Sequence, residues 1–278
     1  MIVRSAPRSG VHGRAEIAFA RRGAQTVLTR SRLAAPMAIV RPFALADGGM
    51  LIQLLSLGPG LCGGDTMHVD VAAGPGTRVI VTTTAATRVM SMDPDATATQ
   101  HVTLRAAVDA SLEYYPCVTI PYPDGALAQT IHADADPAAR LGILECWAMG
   151  RAARAEYLRF RSLVSRTYVR VGGVTTYADA IRLEPGGLDL GNVAVLAARR
   201  YVAAGVWSGV TLDAGSPGEL PPGAADLLVA FGQSCPGVAY LRALANDGPA
   251  LDDALRGLVE RISKASALTP VALSRFHN

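Results

Sequence analysis

The chain has 278 residues, enough for one large domain or two small ones, and long enough to bury a core without disulfide bonds. Half of the residues are apolar, only 5% are aromatic, and the net charge is +3. So small a positive charge excludes the dense basic face on which nucleic-acid binding depends.

No segment indicates export or a membrane. Residues 1–10 contain arginines but no apolar stretch follows them, so no secretory signal is expected. The most apolar windows are short or are interrupted by Arg199 and Arg200, well below the ~20 residues of a spanning helix. The cysteines lie far apart and form no C-x-x-C pair: Cys62, Cys117, Cys146 and Cys235. A reducing, cytoplasmic environment fits this pattern best.

From residue 14 to about residue 212, apolar and polar residues alternate between short interruptions by glycine, proline or aspartate. This period predicts many short strands. In chain order, residues 15–20 and 26–31 predict two strands joined by a tight turn. Residues 51–57 predict another strand, which ends at the GPG of residues 58–60.

Three later segments share one layout, an alternating strand, a compact turn and a second alternating strand: MHVDVAAGPGTRVIVTTTA, VTLRAAVDASLEYYP and TIHADADPAARLGILECWA. Their turns lie 34 and then 28 residues apart. This spacing is typical of stacked layers of strands, either in a β-solenoid or in a β-sandwich whose hairpins recur by chance.

The last part of the chain, residues 213–278, predicts two strands and a helix that complete a single domain with the strand-rich body of residues 13–212. The strands are expected at 225–231 and 238–244. The helix is indicated by apolar residues at helical spacing: Leu251, Ala254, Leu255, Leu258, Val259 and Ile262. Asn246, Asp247 and Pro249 form its expected start. The apolar face of this helix is expected either to pack on the core or to bind a partner protein.

Two glycine motifs resemble enzyme signatures but do not fit their context. Gly58, Gly60 and Gly63 match G-x-G-x-x-G, yet the following GDTMHVDV alternates as a strand, whereas a dinucleotide site needs a helix there. In the expected loop FGQSCPG, Pro236 occupies the place of the second glycine of a nucleophile elbow. Cys235 in that loop is expected to be a small buried side chain rather than a nucleophile.

Metal ligation by Cys62, Asp65 and His68 is geometrically difficult. In an extended segment, the side chains of Asp65 and His68 point to opposite faces. The ligand spacing of a closed tetrahedral site is missing. Any metal that the protein handles is therefore expected to meet an open or transient site.

Two polar clusters are costly in a strand-rich interior. One is the threonine run of residues 82–84 with Thr87 and Arg88. The other is Glu145, flanked by Leu144, Cys146 and Trp147. A carboxylate in an apolar run must be hydrogen-bonded, paired with a cation or placed in a water-filled channel. Glu145 thus either pairs with Arg151 or Arg154, or lines a passage or a contact surface.

Four blocks across residues 13 to about 160 resemble, in order, the family of the urease accessory protein UreD, also called UreH. They are RRGAQTVLTRSRLAAPMAIVRPF, GPGLCGGDTMHVDVAAGPGTRVIVTTTAATRVM, SLEYYPCVTIPYPDGALAQ and LECWAMGRAARAE. The resemblance implies a mainly β fold, an elongated β-helix-like body of stacked strands with a C-terminal helix. It also implies a chaperone without catalysis that binds apo-urease, recruits UreF and the GTPase UreG, and helps nickel reach the urease active site.

The resemblance also suggests residues that line a nickel passage or an interface. Asp65 falls on the aspartate of the family's GGD element, and Thr87 and Arg88 fall on its A-[TS]-[KR] element. Glu145 takes the acidic position ahead of the GR element, whose arginine is Arg151. No tightly bound cofactor is expected, only transient contact with nickel, for which the weak candidate ligands are Asp65, His68, Cys117 and Glu145.

Two positions depart from the family pattern. Met90 stands where an aromatic residue is common, and Cys117 stands where relatives carry an acidic or amide residue. Cys117 would either act as a softer ligand or abolish that step of a nickel relay.

An alternative reading is a β-solenoid hydrolase or ligand-binding protein that uses Asp65 and Glu145 as an acid and base pair. It requires the fold to bring these two carboxyl groups together in an open cleft.

Overall fold

The computed structural model describes residues 10–187, 189–210, 226–266, 268, 270 and 271, and strands dominate these ranges. Their strands are β1 (His12–Arg22), β2 (Gln25–Ala34), β3 (Met37–Ile39), β4 (Phe43–Ala44), β5 (Met50–Ser56), β6 (Thr66–Ala73), β7 (Arg78–Thr83), β8 (Thr87–Val89), β9 (Ala98–Ala106), β10 (Ser111–Tyr115), β11 (Thr119–Pro121), β12 (Ala126–Ala135), β13 (Arg140–Ala148), β14 (Ser162–Val171), β15 (Val174–Leu183), β16 (Tyr201–Ser208), β17 (Leu228–Cys235) and β18 (Val238–Ala245). A 3-10 turn covers Ala152–Arg154, and helix α1 covers Gly248–Ala265.

The strands form two facing sheets. Sheet A has the order β15-β14-β12-β9-β6-β1-β2, and sheet B has the order β17-β18-β16-β13-β10-β7-β5-β3. Within sheet A, β1, β6, β9, β12 and β14 are parallel neighbours; within sheet B, β5, β7, β10 and β13 are parallel neighbours. Corresponding strands of successive repeats therefore stack on each other. The body is a β-solenoid, and the repeat prediction is confirmed in that form.

Each coil runs along sheet A, turns, and returns along sheet B. β6, β9 and β12 lead into β7, β10 and β13 through the three turns that the sequence indicates. A short third side follows, in which β8 pairs with β11 and Leu61 pairs with Val89. Antiparallel hairpins flank the stack, with β2 beside β1 at one end and β15 beside β14 at the other.

Because apolar and polar residues alternate along the strands, one face of each sheet points into the interior and the other points outward. Inward residues such as Val71, Leu104 and Ile131 from sheet A meet Leu112 and Ile143 from sheet B in one core. The alternate residues of sheet A face outward and are more exposed. A core of this kind between two layers stabilises the stack by removing apolar side chains from water.

Helix α1 covers part of the outer face of sheet B. Leu251, Leu255 and Leu258 join a second apolar cluster with Tyr115 and Trp207 of the sheet. The stripe predicted for this helix thus packs on the body. The helix begins as expected, since the carboxylate of Asp247 accepts the N–H of Ala250 at 2.7 Å and a proline occupies the first turn.

The two motifs that resemble enzyme signatures serve ordinary loops and strands. Gly58–Gly63 forms a loop that leads directly into β6, so no helix begins there to bind a pyrophosphate. Gly60 has φ +149, and a Cβ at this position would collide with the carbonyl oxygen of Arg88. This glycine lets the loop lie against β8, where Leu61 N donates to Arg88 O at 2.7 Å.

The expected loop at residues 232–237 is wrong in extent. Strand β17 continues to Cys235, and only Pro236 and Gly237 form the turn. Gly232 pairs with Tyr240 of β18, whose ring lies where a Cβ of residue 232 would be. The glycine and serine that indicate a loop therefore belong to a paired strand. Residue 225, the expected start of this strand, and the boundary at residue 212 lie outside the described residues.

No helix in the described ranges combines the length and the apolar character that crossing a bilayer requires.

Candidate functional site

Glu145 lies inside the solenoid as part of a polar layer. It occupies an inward position of β13 and is only 5% exposed. From the facing sheet, the amide of Gln129 on β12 donates to the Glu145 carboxylate and to Ser165 Oγ, the latter at 3.1 Å. Burial raises the pKa of Glu145 to about 7, while the hydrogen bond from Gln129 opposes this shift. The carboxyl group is thus hydrogen-bonded, and its pKa lies close to neutral pH.

An ion pair joins the two sheets beside Glu145. Arg242 on β18 donates to Asp179 on β15, and both side chains are at least half buried. Asp179 raises the pKa of Glu145, and Arg242 lowers it to a smaller extent. The charges around Glu145 therefore come from strands that are distant in sequence.

The expected pairing of Glu145 with Arg151 or Arg154 is wrong. Arg151 makes two 2.5 Å hydrogen bonds to the carboxylate of Glu156, and its guanidinium lies 3.8 Å from the centre of the Tyr122 ring. Gly150, with φ +107, turns the chain after β13, and a Cβ there would collide with the carbonyl oxygen of Glu156. The chain leaves the interior before it reaches Arg151.

Asp65 holds the loop in front of β6. Its Oδ1 accepts the N–H of Val11 at 2.9 Å, and its Oδ2 accepts the N–H of Cys62 at 2.8 Å. The residue is 6% exposed. Both carboxylate oxygens are thus engaged with the backbone, which ties the loop to the segment before β1.

Thr87 and Arg88 lie together on β8 at a cavity of about 170 Å³. This small cavity is also lined by Thr83, Gln100 and Tyr114, which face the interior from β7, β9 and β10. A hydrogen bond links the Tyr114 hydroxyl and Gln100. Two of the predicted residues, Thr87 and Arg88, therefore lie beside a cavity whose wall is partly polar.

A larger cavity of about 530 Å³ lies between sheet B and α1 and is lined by Cys117; Glu145 borders it from β13, but its side chain points the other way, into the solenoid. The thiol of Cys117 donates to the carbonyl oxygen of Thr83 at 3.2 Å, and burial raises its pKa. The larger and the small cavity share the segment of residues 84–86 as a common wall. The threonine run of the sequence thus lies between the two cavities.

A polar row links the small cavity to Glu145. Gln100, Gln129 and Ser165 are register partners on the adjacent strands β9, β12 and β14. Their side chains share the inward face, and Gln129 contacts Glu145. The row therefore runs inside the solenoid from the small cavity to Glu145, on the inner face of sheet B, whereas the larger cavity lies on the outer face.

The remaining candidates lie elsewhere. His68 is exposed on the outer face of sheet A, opposite in direction to the buried Asp65, as the alternation predicts. Asp65 lines neither of the two cavities that Glu145 lines. Within the described residues, no group of three or more His, Cys, Asp or Glu side chains is arranged to hold a metal ion. The four cysteines are free thiols.

Sequence reasoning missed the surroundings of Glu145, namely Gln129, Thr167, Asp179 and Arg242, and Ser165, which accepts the second hydrogen bond of Gln129. Gln129 and Ser165 did carry a signal, because each is polar at a position that the period of two assigns to the interior. Asp179 and Arg242 carried none, since their meeting depends on how the two sheets face each other.

Comparison with known proteins gives one consistent result. The model of the family described as UreD urease accessory protein matches residues 11–278. The urease accessory protein UreD of Deinococcus radiodurans is 36% identical over 250 residues, covering 90% of this chain and 89% of the relative. UreD 1 of a Synechococcus species is 35% identical over 193 residues, covering 69% and 72%. UreD of Herpetosiphon aurantiacus is 30% identical over 204 residues, covering 73% and 71%. The chain is a member of the UreD family of urease accessory proteins.

Proposed function

We propose that the protein is a non-enzymatic accessory protein of urease maturation. In this role it binds apo-urease, provides a scaffold for UreF and the GTPase UreG, and assists the delivery of nickel as cargo to the urease active site. The proposal is supported by the match to the UreD family over residues 11–278. The parallel stacking of long strands also offers extended outer surfaces on which partner proteins can bind.

The observation that carries a nickel-handling role is the polar row inside the solenoid. An ordinary solenoid core would have apolar residues at positions 100, 129 and 165, because buried polar groups cost free energy unless they are hydrogen-bonded. We propose that nickel passes along this row, inside the solenoid, between the small cavity at Thr87 and Arg88 and the carboxyl group of Glu145. Hydroxyl, amide and carboxyl oxygens would contact the ion weakly and in sequence, so that it passes without being trapped.

Glu145 is the residue that we propose binds the nickel ion in this passage and then releases it. Its pKa of about 7 means that protonated and ionised forms coexist at neutral pH. An arriving cation favours the ionised form, and reprotonation weakens the contact when the ion leaves. Asp65 and Arg151 would act at a distance from the passage, Asp65 by fixing the loop in front of β6 and Arg151 by fixing the turn after β13.

No observation favours the alternative of an acid and base pair. Both oxygens of Asp65 accept backbone N–H groups, and Asp65 is absent from the walls of the two cavities that Glu145 lines. A hydrolase of this type needs two carboxyl groups that face one substrate.

The first test is co-expression of the chain with the urease subunits, UreF and UreG of its host. We expect UreF, UreG and urease to be recovered with the tagged chain, and urease to gain nickel and activity only when the chain is present. Recovery of the chain alone, together with equal nickel loading in its absence, would contradict the proposal.

A pair of variants tests the passage itself. Gln100→Leu interrupts the polar row with a side chain of similar size, whereas Thr103→Leu makes the same type of change on the outer face of the same strand. We expect Gln100→Leu to lower the nickel content of urease severalfold while the partner complex still forms, and Thr103→Leu to leave loading unchanged. Equal loading with both variants would contradict the passage but not the scaffold role.

A further inference from the structure

Two histidines form a pair on the exposed face of sheet A. His68 on β6 and His101 on β9 are direct register partners on adjacent parallel strands. Their rings stack with centroids 5.0 Å apart and planes inclined by 23°. Both side chains point outward and are exposed, so the pair is open to solvent. Stacked rings do not aim their nitrogens at one point, so binding of one ion requires the rings to turn about χ1 and χ2. The spacing of about 4.8 Å between neighbouring strands keeps both imidazoles within reach of one ion after that turn.

The surroundings of the pair leave it accessible to a cation. Arg14 is the neighbour of His68 on β1, but its guanidinium reaches Asp70 at 3.5 Å and Glu16 at 3.6 Å. Thr130 is the neighbour of His101 on the other side. The adjacent positive charge is thus partly balanced by two carboxylates, and Asp70 lies two residues from His68 on the same face.

We propose that His68 and His101 together form a two-imidazole site for a divalent cation of the nickel, copper or zinc class on the outer face of sheet A. Imidazole is a preferred ligand of these ions, and two side chains on a rigid sheet bind one ion better than two separate imidazoles do. Water completes the coordination, which keeps the site open and exchangeable. Only the choice of nickel as the natural ion rests on the proposed function.

A third histidine on this face provides an internal comparison. His132 on β12 lies diagonally from His101, and its ring stacks on Tyr168 with centroids 5.1 Å apart. It has no histidine as a direct register partner. The proposed site therefore uses His68 and His101 and excludes His132.

The test is titration of the purified chain, without a polyhistidine tag, with Ni²⁺ alone by calorimetry. All proteins carry His277→Ala, so that this histidine, which lies outside the described residues, does not contribute. His68→Ala and His101→Ala are compared with His132→Ala and with His12→Ala, an exposed histidine on β1 whose register partner is Thr66. Paramagnetic broadening of the imidazole NMR signals by Ni²⁺ gives a second readout.

We expect one Ni²⁺ per chain, affinity at least about tenfold lower after either His68→Ala or His101→Ala, and unchanged affinity after His132→Ala or His12→Ala. Broadening should affect the signals of His68 and His101 first. The proposal is overturned if His68→Ala with His101→Ala leaves one-to-one binding intact, if all four variants weaken binding equally, or if no Ni²⁺ binds. In that case the stacking of the two rings is only a cross-strand packing contact. Because urease activation is not measured here, failure of this site leaves the scaffold role standing.

Discussion

Gln129 joins the two sheets of the solenoid through its side-chain amide, which donates both to Glu145 on sheet B and to Ser165 on sheet A. One neutral side chain thereby satisfies a carboxylate that would otherwise be buried among apolar residues such as Ile131 and Ile143. The ionised form of Glu145 depends on this contact, because a hydrogen bond to a carboxylate lowers its pKa whereas burial raises it.

Glu145→Gln should remove part of the pH dependence of stability. The pKa of Glu145 in the folded protein, about 7, lies above the ordinary glutamate value of 4.5 that applies to the unfolded chain. The carboxyl group therefore favours folding fully below pH 4.5, and this contribution is lost as the pH rises towards 7. We expect Glu145→Gln to be more stable than the wild type at pH 8 by up to about 3 kcal/mol, with no gain at pH 4.5. Urea unfolding at the two pH values measures this difference.

The control for that experiment is the activity of the same variant. If Glu145 acts only in the fold, Glu145→Gln should support urease maturation at least as well as the wild type. Loss of nickel loading together with gained stability indicates a role in the passage. An unchanged difference in stability between the two pH values would contradict the raised pKa of Glu145.

Glu113 should show the same direction of pH dependence from a separate site. It lies on the outer face of sheet B, where it lines a small cavity with Trp207 and Ile262 of α1. Burial raises its pKa to about 7, and the charge of Arg78 opposes the shift. We expect Glu113→Gln to gain stability above pH 7 relative to pH 4.5. Since Glu113 and Glu145 lie on opposite faces of the sheet, the gains of the two variants should add in the double variant.

Asp65→Ala should destabilise the protein because it leaves the N–H groups of Val11 and Cys62 without their acceptor. The expected loss is about 1 to 3 kcal/mol in the free energy of unfolding. Asp65→Asn keeps one acceptor oxygen and should lose less. Denaturant unfolding of the three proteins measures the order. Equal stabilities would show that Asp65 does not hold the loop, and a defect in urease maturation would then be free of a folding contribution.

Asp247→Ala should weaken the start of α1. The carboxylate of Asp247 accepts the N–H of Ala250, and removal of such a cap costs about 1 kcal/mol. Asp247→Asn retains an acceptor and should cost less. Because Leu251 and Leu255 anchor the helix on sheet B, we expect a lower midpoint of thermal unfolding rather than loss of the helix. Circular dichroism distinguishes the two results.

Much of the fold was readable from the sequence. The period of two predicted the strands, the glycine, aspartate and proline turns separated the repeats, and the residues from Asp247 to Ile262 predicted the helix and its start. These signals are local, because each depends on the conformational preferences of neighbouring residues or on which side chains avoid water. The spacing of the turns did not distinguish a solenoid from a sandwich, since both bury alternate residues between two sheets.

The candidate site likewise combines features that the sequence indicated with features that only the tertiary structure shows. The sequence identified Glu145 as a costly buried carboxyl group but suggested Arg151 or Arg154 as its partner, because these are its nearest cations along the chain. The partners in the structure are Gln129 and Thr167, with the Asp179–Arg242 ion pair beside them.

The sequence by itself therefore indicated most strands of the repeats, the alternation of inward and outward residues, and Glu145 as a polar side chain out of place in the interior. Only the tertiary structure decided that the strands stack in parallel, that Gln129 meets Glu145, and that His68 lies beside His101. The physical reason is that register between strands of different repeats is fixed by the packing of both faces of each sheet at once. That information is spread over many residues and is not contained in any one segment.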